Sequence, residues 1–348
     1  MDDKTKSRVY MDGCFDLFHY GHANAIRQAK QLGDVVVVGV HSDKEIRRKK
    51  RSPVYLEEER YRLVRGLKWV DEVVEDTPYA PTIPLLDQLN CQFATHGDDL
   101  VIAKDGTDTY AAVRNAGRLR LFSRTAGVCT TDLIERVLVR TKIISDLRKI
   151  SSAESRNHAI AWEEEDEAQL SSLQIAQFSG NARSPKAKDK IIYVTGGWDL
   201  FHAGHMDFLE AAKALGDYLI VGVYSDLMLQ RKRGGIFPVF NLKERVLTVM
   251  SCKCVDQVLV GAPYLITGKF MQRHNISVIC HGWTNPLDLC GDPFQEVKAM
   301  NRLKVIDTGN RLTSEVIVDR ILSRRQEYSE ETEVKRRRHA ATAATNGL

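Results

Sequence analysis

The chain has 348 residues, which is long for one compact core and favours two domains. Hydrophobic residues make up 43% of it and charged residues 28%, a composition that excludes a wholly disordered or fibrous chain. The formal net charge of +4 is small for this length, so we expect no nucleic-acid partner.

The first predicted strand covers Val9 to Met11 and ends in a turn at Gly13. Apolar residues at helical spacing predict a helix over residues 21 to 32. The β-branched run Val35 to Val40 then predicts a parallel strand that is buried on both faces. Strand, helix and strand in this order predict a doubly wound α/β sheet with ligands at the carboxyl ends of its strands.

A second copy of this pattern follows. The segment Asp16 to His22 recurs as Asp199 to His205, 183 positions later, and Val70 to Val73 recurs at an offset of 185 as Val255 to Val258. The ordered matches therefore predict two tandem Rossmann-like domains, with a two-residue insertion between positions 43 and 70.

In the second copy, strands are predicted at Ile191 to Val194 and Tyr218 to Val223, with a helix at Met206 to Leu215. Between the copies, the acidic run Glu163 to Glu167 indicates a linker, and a helix is predicted at Ala168 to Phe178. The predicted parts of the chain are a first domain at 1–150, a linker at 151–189, a second domain at 190–328 and a flexible tail at 329–348.

The seven cysteines are scattered and form no CxxC pair, which favours a reducing compartment and predicts no zinc site. The first residues lack the basic flank and apolar run of a signal peptide. No apolar stretch approaches the roughly 20 residues of a membrane span. We therefore expect a cytoplasmic protein with no integral membrane segment.

His19 and His22 belong to an HxGH tetrapeptide at the predicted turn from the first strand into the first helix. A helix N-terminus attracts phosphate through free backbone N–H groups and its dipole, and Gly21 lets the backbone come close. The position therefore predicts a phosphate site. If the tetrapeptide stood alone, two ordinary surface or metal-binding histidines would be an equally good interpretation.

The segments Asp12 to His22 and Arg124 to Thr131 resemble the HxGH and RTxGxST signatures of the cytidylyltransferase family. Tandem copies joined by an acidic linker resemble the ethanolamine-phosphate members of that family. The resemblance covers roughly residues 7–145 and 190–328. It implies magnesium-dependent transfer of a cytidylyl group from CTP to phosphoethanolamine, giving CDP-ethanolamine and pyrophosphate for phosphatidylethanolamine synthesis.

The resemblance also implies residue roles. His19 and His22 would stabilise the α-phosphate, and Lys50 would reach the α-phosphate and the incoming phosphate. Arg124 would hold the β and γ phosphates, because a guanidinium binds two oxygens at once. Magnesium would be bound mainly through the CTP phosphates, with no protein metal ligand assigned.

Further residues are implied as lining the nucleotide: Asp12, Gly13, Cys14, Phe15, Gly21, Trp69, His96, Gly97, Asp98, Thr125, Gly127, Val128, Cys129 and Thr130. Lys50 and Tyr110 are implied for the substrate, and Lys68 and Asp71 are weaker assignments to either pocket. Cys129 departs from the family pattern, which has serine there, so this chain lacks the hydroxyl of that position.

Several of these residues have rival interpretations. The basic run Arg47 to Arg51, read as a loop, is also typical of a solvated or nucleic-acid-facing patch or of a nuclear targeting signal. Its place after the second strand favours the triphosphate role for Lys50. Trp69 is favoured as a core residue over a cytosine contact, and His96 and Asp98 are equally suited to capping a turn.

The second copy keeps His202 and His205 as remnants of the site. Aligning Thr313 with Thr130 places Asp307 opposite Arg124, which would turn attraction for the triphosphate into repulsion. We therefore expect the second copy to be catalytically weak or silent, and to pair with the first copy inside the chain or within a homodimer. Thr195 also replaces Asp12 there.

Other functions remain open at this point. Choline-phosphate and glycerol-phosphate cytidylyltransferases share the signatures. The former usually carry a long amphipathic membrane helix, which neither the linker nor the tail supplies, and the latter are generally single short domains. An HxGH-bearing adenylyltransferase or tRNA synthetase is a different class, although no KMSKS-like loop is present. A nucleotide-sensing scaffold is the non-enzymatic alternative.

Overall fold

Two parallel β-sheets of five strands each form the frame of the molecule. They belong to a computed structural model that describes residues 6–99, 108–150, 171–180, 182–283, 291–328 and 330. Among these residues, no helix is both long and apolar enough to cross a membrane.

Strands and helices alternate along the chain. The first half contains β1 Arg8–Gly13, α1 Tyr20–Leu32, β2 Val35–Val40, α2 Asp43–Lys49, α3 Glu57–Arg65, β3 Glu72–Glu75, α4 Ile83–Gln88, β4 Phe93–Gly97, α5 Ala111–Asn115, β5 Leu119–Phe122 and α6 Thr130–Ile150. A short helix, α7 Ser172–Ser179, follows. The second half contains β6 Ile191–Gly196, α8 Ala203–Lys213, β7 Tyr218–Val223, α9 Asp226–Arg233, α10 Leu242–Met250, β8 Gln257–Val260, α11 Gly268–Arg273, β9 Ile276–Gly282, α12 Gln295–Ala299, β10 Leu303–Ile306 and α13 Ser314–Ser323.

The strand order is β3-β2-β1-β4-β5 in the first sheet and β10-β9-β6-β7-β8 in the second. The chain moves outward from β1 in one direction and then returns to the other side, so the order reverses between β1 and β4. Ligands of such sheets bind at this switch point, beyond the carboxyl ends of the strands. Val36, Val37 and Val38 are fully buried, as expected of a strand covered on both faces. The predicted doubly wound α/β class is confirmed in both halves.

Differences from the predicted elements lie at their ends. The second-copy helix begins at Ala203 rather than Met206, because His202 occupies its N-cap. The linker helix covers Ser172–Ser179, and Ser171 caps it by accepting a hydrogen bond from the backbone of Gln174. Most of the predicted linker (151–170 and 181) and tail (329 and 331–348) lies outside the described residues, and the three predicted domain boundaries stay predictions.

Equivalent hydrogen bonds locate the two-residue insertion. Ser42 and Ser225, 183 positions apart, cap α2 and α9. Val54 and Val239, 185 apart, both donate their backbone N–H to the aspartate of the repeated segment. The insertion therefore lies between Ser225 and Val239: α9 is one residue longer than α2, and Gly234 and Gly235 follow it with positive φ values of 57° and 65°.

The two halves pack against each other through reciprocal contacts. Arg136 of the first half pairs with Glu244 of the second at 2.7 Å, and Arg320 of the second pairs with Glu59 of the first at 2.7 Å. A hydrophobic cluster continues across the boundary and includes Phe18, Tyr55 and Val64 together with Phe201, Phe240 and Val249. The two copies thus pair within the chain, and a homodimer stays a prediction.

Candidate active site

A cleft of about 340 Å³ opens at the carboxyl ends of β1, β4 and β5. His19, His22, Lys50 and Arg124 all line it, so the four side chains predicted to be catalytic share one cavity. The other predicted residues in its wall are Asp12, Gly13, Cys14, Phe15, Gly21, His96, Gly97, Thr125, Val128, Cys129 and Thr130. Gly21 is required there, because a Cβ would lie 2.9 Å from the His19 ring and 2.9 Å from Val128.

The two histidines are held against each other at the start of α1. His19 is the N-cap residue, and its Nδ1 accepts a hydrogen bond from the backbone of Gly21 at 3.1 Å. The Nδ1 of His22 accepts from the backbone of His19 at 3.4 Å, and the two ring centroids are 3.9 Å apart. Because Nδ1 accepts in each ring, Nε2 carries the proton in the neutral form.

Burial keeps both imidazoles neutral. It lowers the pKa of His22 to about 3, with a smaller contribution from the positive charges of Arg124 and Lys50. Burial also lowers the pKa of His19 well below its ordinary value, and His22 and Arg124 add to the effect. Near pH 7 the histidines are therefore uncharged donors, and the positive charge of the cleft comes from lysine and arginine.

The turn before α1 is strained and is held by a buried carboxylate. Phe15 and Leu17 take positive φ values of 51° and 45°, which bulky side chains seldom adopt. Asp16, between them, accepts hydrogen bonds from the backbone of Leu17 at 3.0 Å, Val54 at 3.0 Å and Tyr55 at 2.9 Å. These bonds tie the HxGH turn to the segment that follows Lys50.

Two residues that support this turn, Asp16 and Arg60, were given no role in the sequence analysis. Asp16 lines the cleft, and the fully buried Arg60 donates to the backbone carbonyls of Cys14 at 2.8 Å and His41 at 2.7 Å. Their recurrence was the available signal: the second half contains Asp199 and Arg245 at the same places.

Lys50 directly follows α2, and the basic run before it is not a loop. Arg47 pairs with Asp43 at 3.5 Å and Arg48 with Glu45 at 2.9 Å, along the surface of the same helix. Cations in a last turn also interact favourably with the helix dipole. The loop interpretation of the run is therefore wrong, and its last two residues, Lys50 and Arg51, are the ones that line the cleft.

Arg124 lies on the opposite wall, in the loop after β5. Its guanidinium pairs with Asp99, and its backbone N–H donates to the carboxylate of Asp98 at 3.1 Å. Asp98 thus anchors the loop, in agreement with the capping alternative, and does not line this cleft. A triphosphate that binds here competes with Asp99 for the guanidinium.

A buried polar pair lies between this cleft and an adjoining cavity. Tyr110 donates its hydroxyl to Oδ1 of Asp12, and its ring lies 4.5 Å from that of His96. The other carboxylate oxygen of Asp12 is buried without a hydrogen-bond partner among the described residues. Burial raises the pKa of Asp12 to about 7, while the bond from Tyr110 acts in the opposite direction.

Comparison with known proteins gives the family. A model described as cytidylyltransferase-like matches residues 10–178 and 193–336. The ethanolamine-phosphate cytidylyltransferase of Dictyostelium discoideum is 43% identical over 94% of this chain and 93% of its own length. The chain belongs to the ethanolamine-phosphate cytidylyltransferase family. The enzymes of that name from Mus musculus and Arabidopsis thaliana are 38% and 40% identical, over 97% and 92% of this chain and 91% and 81% of their own lengths.

Three residues predicted for this cytidylyltransferase site lie elsewhere. Trp69 packs edge-to-face on Phe178 of α7, with ring centroids 5.6 Å apart, so its nucleotide assignment is corrected to the core alternative. Lys68 faces the second half, where its backbone N–H donates to Ser251 at 2.9 Å. Asp71 binds Lys30 at 2.7 Å. The span from Lys68 to Asp71 therefore supports the fold and the interface.

The RTxGxST loop of the cytidylyltransferase leads into α6. The Thr130 hydroxyl donates to the backbone carbonyl of Asp16 at 3.0 Å, which joins this loop to the HxGH turn. Cys129 accepts a hydrogen bond from the backbone of Asp132 through its sulfur at 3.4 Å, so the thiol occupies the capping position that a serine hydroxyl would fill. Gly127 supplies a positive φ of 79° to the turn and does not line the cleft.

The second half shows a different register at this loop from the one predicted. Ser314 donates its hydroxyl to the carbonyl of Asp199 at 2.8 Å, the bond that Thr130 makes in the first half. The equivalent of Thr130 is therefore Ser314 and not Thr313, and the offset is 184 positions. The change arises between β4 and β5, because His96 and His281 are still 185 apart.

This register changes what stands opposite Arg124. Thr308 takes that place and lines the second cleft, whereas Asp307 pairs with Arg311 at 2.6 Å. The predicted charge reversal is therefore wrong, and the loss of the guanidinium is real. The Thr308 hydroxyl carries no charge, so it neither repels a triphosphate nor forms an ion pair with it.

The second cleft, of about 380 Å³, keeps the imidazole pair of the cytidylyltransferase fold. The rings of His202 and His205 lie 3.8 Å apart. The buried pair of Asp12 and Tyr110 has no counterpart here, because both of its members are replaced. Thr195 stands in place of Asp12, and Phe294 stands in place of Tyr110, with its ring against His281 as the Tyr110 ring lies against His96.

Proposed function

We propose that the first cleft transfers the cytidylyl group of CTP to phosphoethanolamine, forming CDP-ethanolamine and pyrophosphate. The observation that carries this proposal is the convergence of His19, His22, Lys50 and Arg124 on one cavity at a helix N-terminus. Membership of the family supports the reaction class. The product serves phosphatidylethanolamine synthesis.

The arrangement suits in-line phosphoryl transfer without a covalent enzyme intermediate. An oxygen of the substrate phosphate forms a bond to the α-phosphorus, and the bond to the pyrophosphate oxygen breaks. Catalysis then consists of alignment and charge stabilisation. The Nε2–H groups of the neutral His19 and His22 donate to the α-phosphate oxygens as charge develops there.

Lys50 and Arg124 supply positive charge on opposite walls of the cleft. We infer that Lys50 contacts the α-phosphate and the incoming phosphate, and that Arg124 exchanges Asp99 for the β and γ phosphates. A guanidinium binds two phosphate oxygens in one plane, which fixes the leaving group for in-line departure.

The ammonium of phosphoethanolamine is assigned to Asp12. Its unpaired, buried oxygen is an acceptor without a donor, and such a group is costly until a cation reaches it. Tyr110 holds the other oxygen in place. A primary ammonium donates hydrogen bonds to the carboxylate and a trimethylammonium has none to donate, so this contact favours ethanolamine over choline.

We further propose that magnesium acts through the CTP phosphates. Lys50 and Arg124 offer cations to the phosphate oxygens, and the described residues contain no cluster of three His, Cys, Asp or Glu side chains that suits a metal ion. Bound in this way, magnesium would neutralise phosphate charge. A cytoplasmic location is proposed on the free thiols among the described cysteines.

A substrate panel tests the proposal. Pyrophosphate release is measured with CTP, magnesium and, in turn, phosphoethanolamine, phosphocholine and glycerol phosphate. Rapid release with phosphoethanolamine alone is expected. A preference for phosphocholine would refute the ammonium assignment, and CTP binding without turnover on any substrate would support the scaffold alternative.

A further inference from the structure

The segment that follows Lys50 forms one rim of the first cleft. The cavity is lined there by Lys50, Arg51 and Pro53. The backbone N–H groups of the next two residues, Val54 and Tyr55, donate to the carboxylate of Asp16. The position of the Lys50 cation therefore depends on how this short segment is held.

The second half of the chain holds it. Three consecutive residues each form a backbone hydrogen bond to a side chain from α13 or from the residues just after it. The N–H of Ser52 donates to the Glu327 carboxylate at 2.9 Å. The carbonyl of Pro53 accepts from Arg324 at 2.8 Å, and that of Val54 accepts from Arg320 at 3.2 Å. The Arg51 guanidinium also lies over the ring of the buried Tyr328, 4.7 Å from its centroid.

Part of this arrangement is reciprocal. In the first half, α6 carries Arg136 and Arg140 at the places of Arg320, in α13, and Arg324, which directly follows α13. Arg136 donates to the carbonyl of Val239 at 2.7 Å, and Arg140 donates to the carbonyl of Pro238. These arginines are what a duplicated interface requires for mutual stabilisation.

The contacts of Glu327 and Tyr328 have no counterpart among the described residues of the second half, where Arg140 instead also donates to the carbonyl of Ile236 at 3.2 Å. The α6 residues equivalent to Glu327 and Tyr328 are Ile143 and Ile144, which have neither a carboxylate nor an aromatic face. The carboxylate and the aromatic ring thus stand at the rim of the cleft that has Arg124.

We propose that the second half is a positioning element for the first active site. Glu327 and Tyr328, together with Arg320 and Arg324, hold the rim from Arg51 to Val54 and so place the Lys50 ammonium against the substrate phosphates. This role rests on the proposed function of the cleft, and it gives the degenerate copy a part in the reaction without nucleotide binding of its own.

The test compares two matched variants of the full chain. Arg324→Ala removes the hold on Pro53 at the first cleft, and Arg140→Ala removes the equivalent hold on Pro238 in the second half. We expect Arg324→Ala to lower kcat/KM for CTP about tenfold, since a small misplacement of a phosphate-binding group is costly. Arg140→Ala should change it less than about twofold, with a similar loss in melting temperature.

Rescue separates positioning from folding. Arg324→Lys keeps a donor for the Pro53 carbonyl and should recover much of the lost kcat/KM. If Arg324→Ala does not fold, the double substitution Glu327→Ile and Tyr328→Ile, which copies the α6 residues, provides the same comparison. Equal effects of Arg324→Ala and Arg140→Ala, or none from either, would overturn the proposal. Failure of the proposed function is distinct, because the unsubstituted protein would then release no pyrophosphate.

Discussion

Replacing Asp12 by asparagine separates the two substrates of the cleft. The substitution keeps an oxygen for the Tyr110 hydroxyl and nearly the same volume, and it removes the negative charge. A hydrogen bond to a charged group contributes about 1.5 to 3 kcal/mol. Since about 1.4 kcal/mol corresponds to tenfold in affinity, we expect Asp12→Asn to raise KM for phosphoethanolamine about 10- to 100-fold.

The pH dependence gives a second signature of the same group. Burial raises the pKa of Asp12 to about 7, so about half of the free protein carries the carboxylate at pH 7 and about a tenth at pH 6. An ammonium requires the ionised form. KM for phosphoethanolamine should therefore rise about fivefold on going from pH 7 to pH 6. In the asparagine variant, KM for phosphoethanolamine should lose this part of its pH dependence. Only the part that comes from ionisation of the substrate phosphate should remain.

Steady-state kinetics with each substrate varied in turn measure both effects, and KM for CTP is the internal control. We expect KM for CTP to change little in Asp12→Asn. The reasoning is refuted if KM for CTP rises while KM for phosphoethanolamine does not, since Asp12 would then contact the nucleotide. A pH profile identical in both proteins would also contradict it.

Three further predictions concern the histidines and the second cleft. His22→Ala should fold normally and lose about 10²- to 10³-fold in kcat, as in other losses of a transition-state donor; near-normal turnover would contradict its role. Titration of the full chain with CTP and magnesium should saturate at one CTP per chain, because Thr308 replaces Arg124; two equal sites would exclude a silent second copy. Burial lowers the pKa of His205 to about 3, so the unfolded chain gains a proton below pH 6.5 that the folded chain does not, and stability falls on acidification. In His205→Asn the free energy of unfolding, measured by urea denaturation, should therefore decrease less between pH 6.5 and pH 5 than in the unsubstituted protein. An equal decrease in both proteins would contradict the burial of a neutral His205.

The fold and the centre of the site were predictable from sequence because both are set by local pattern. A β-branched run such as Val35 to Val40 indicates a buried parallel strand wherever it occurs, and a strand that turns into a helix at His19 places that residue at the helix N-terminus. The repeat then carried the same conclusions to the second half. The resemblance to the cytidylyltransferase family rested on the same short segments, and comparison over 94% of the chain confirmed it.

Contacts between distant segments could not be predicted in this way. Asp12 meets Tyr110, which follows 98 positions later, and the spacing gives no sign of it. Trp69 was favoured as a core residue, but its partner there, Phe178, lies 109 positions later and was not predicted.

The sequence by itself determined the class of each half and the identity of the imidazole pair, since these depend on neighbours along the chain. The tertiary structure alone decided that Thr308 stands opposite Arg124, because a one-residue change in length between β4 and β5 shifts the alignment. It also decided that Arg324 of the second half holds Pro53 at the rim of the first cleft. Residues more than 180 positions apart become partners through packing, and the order of residues does not record which surfaces meet.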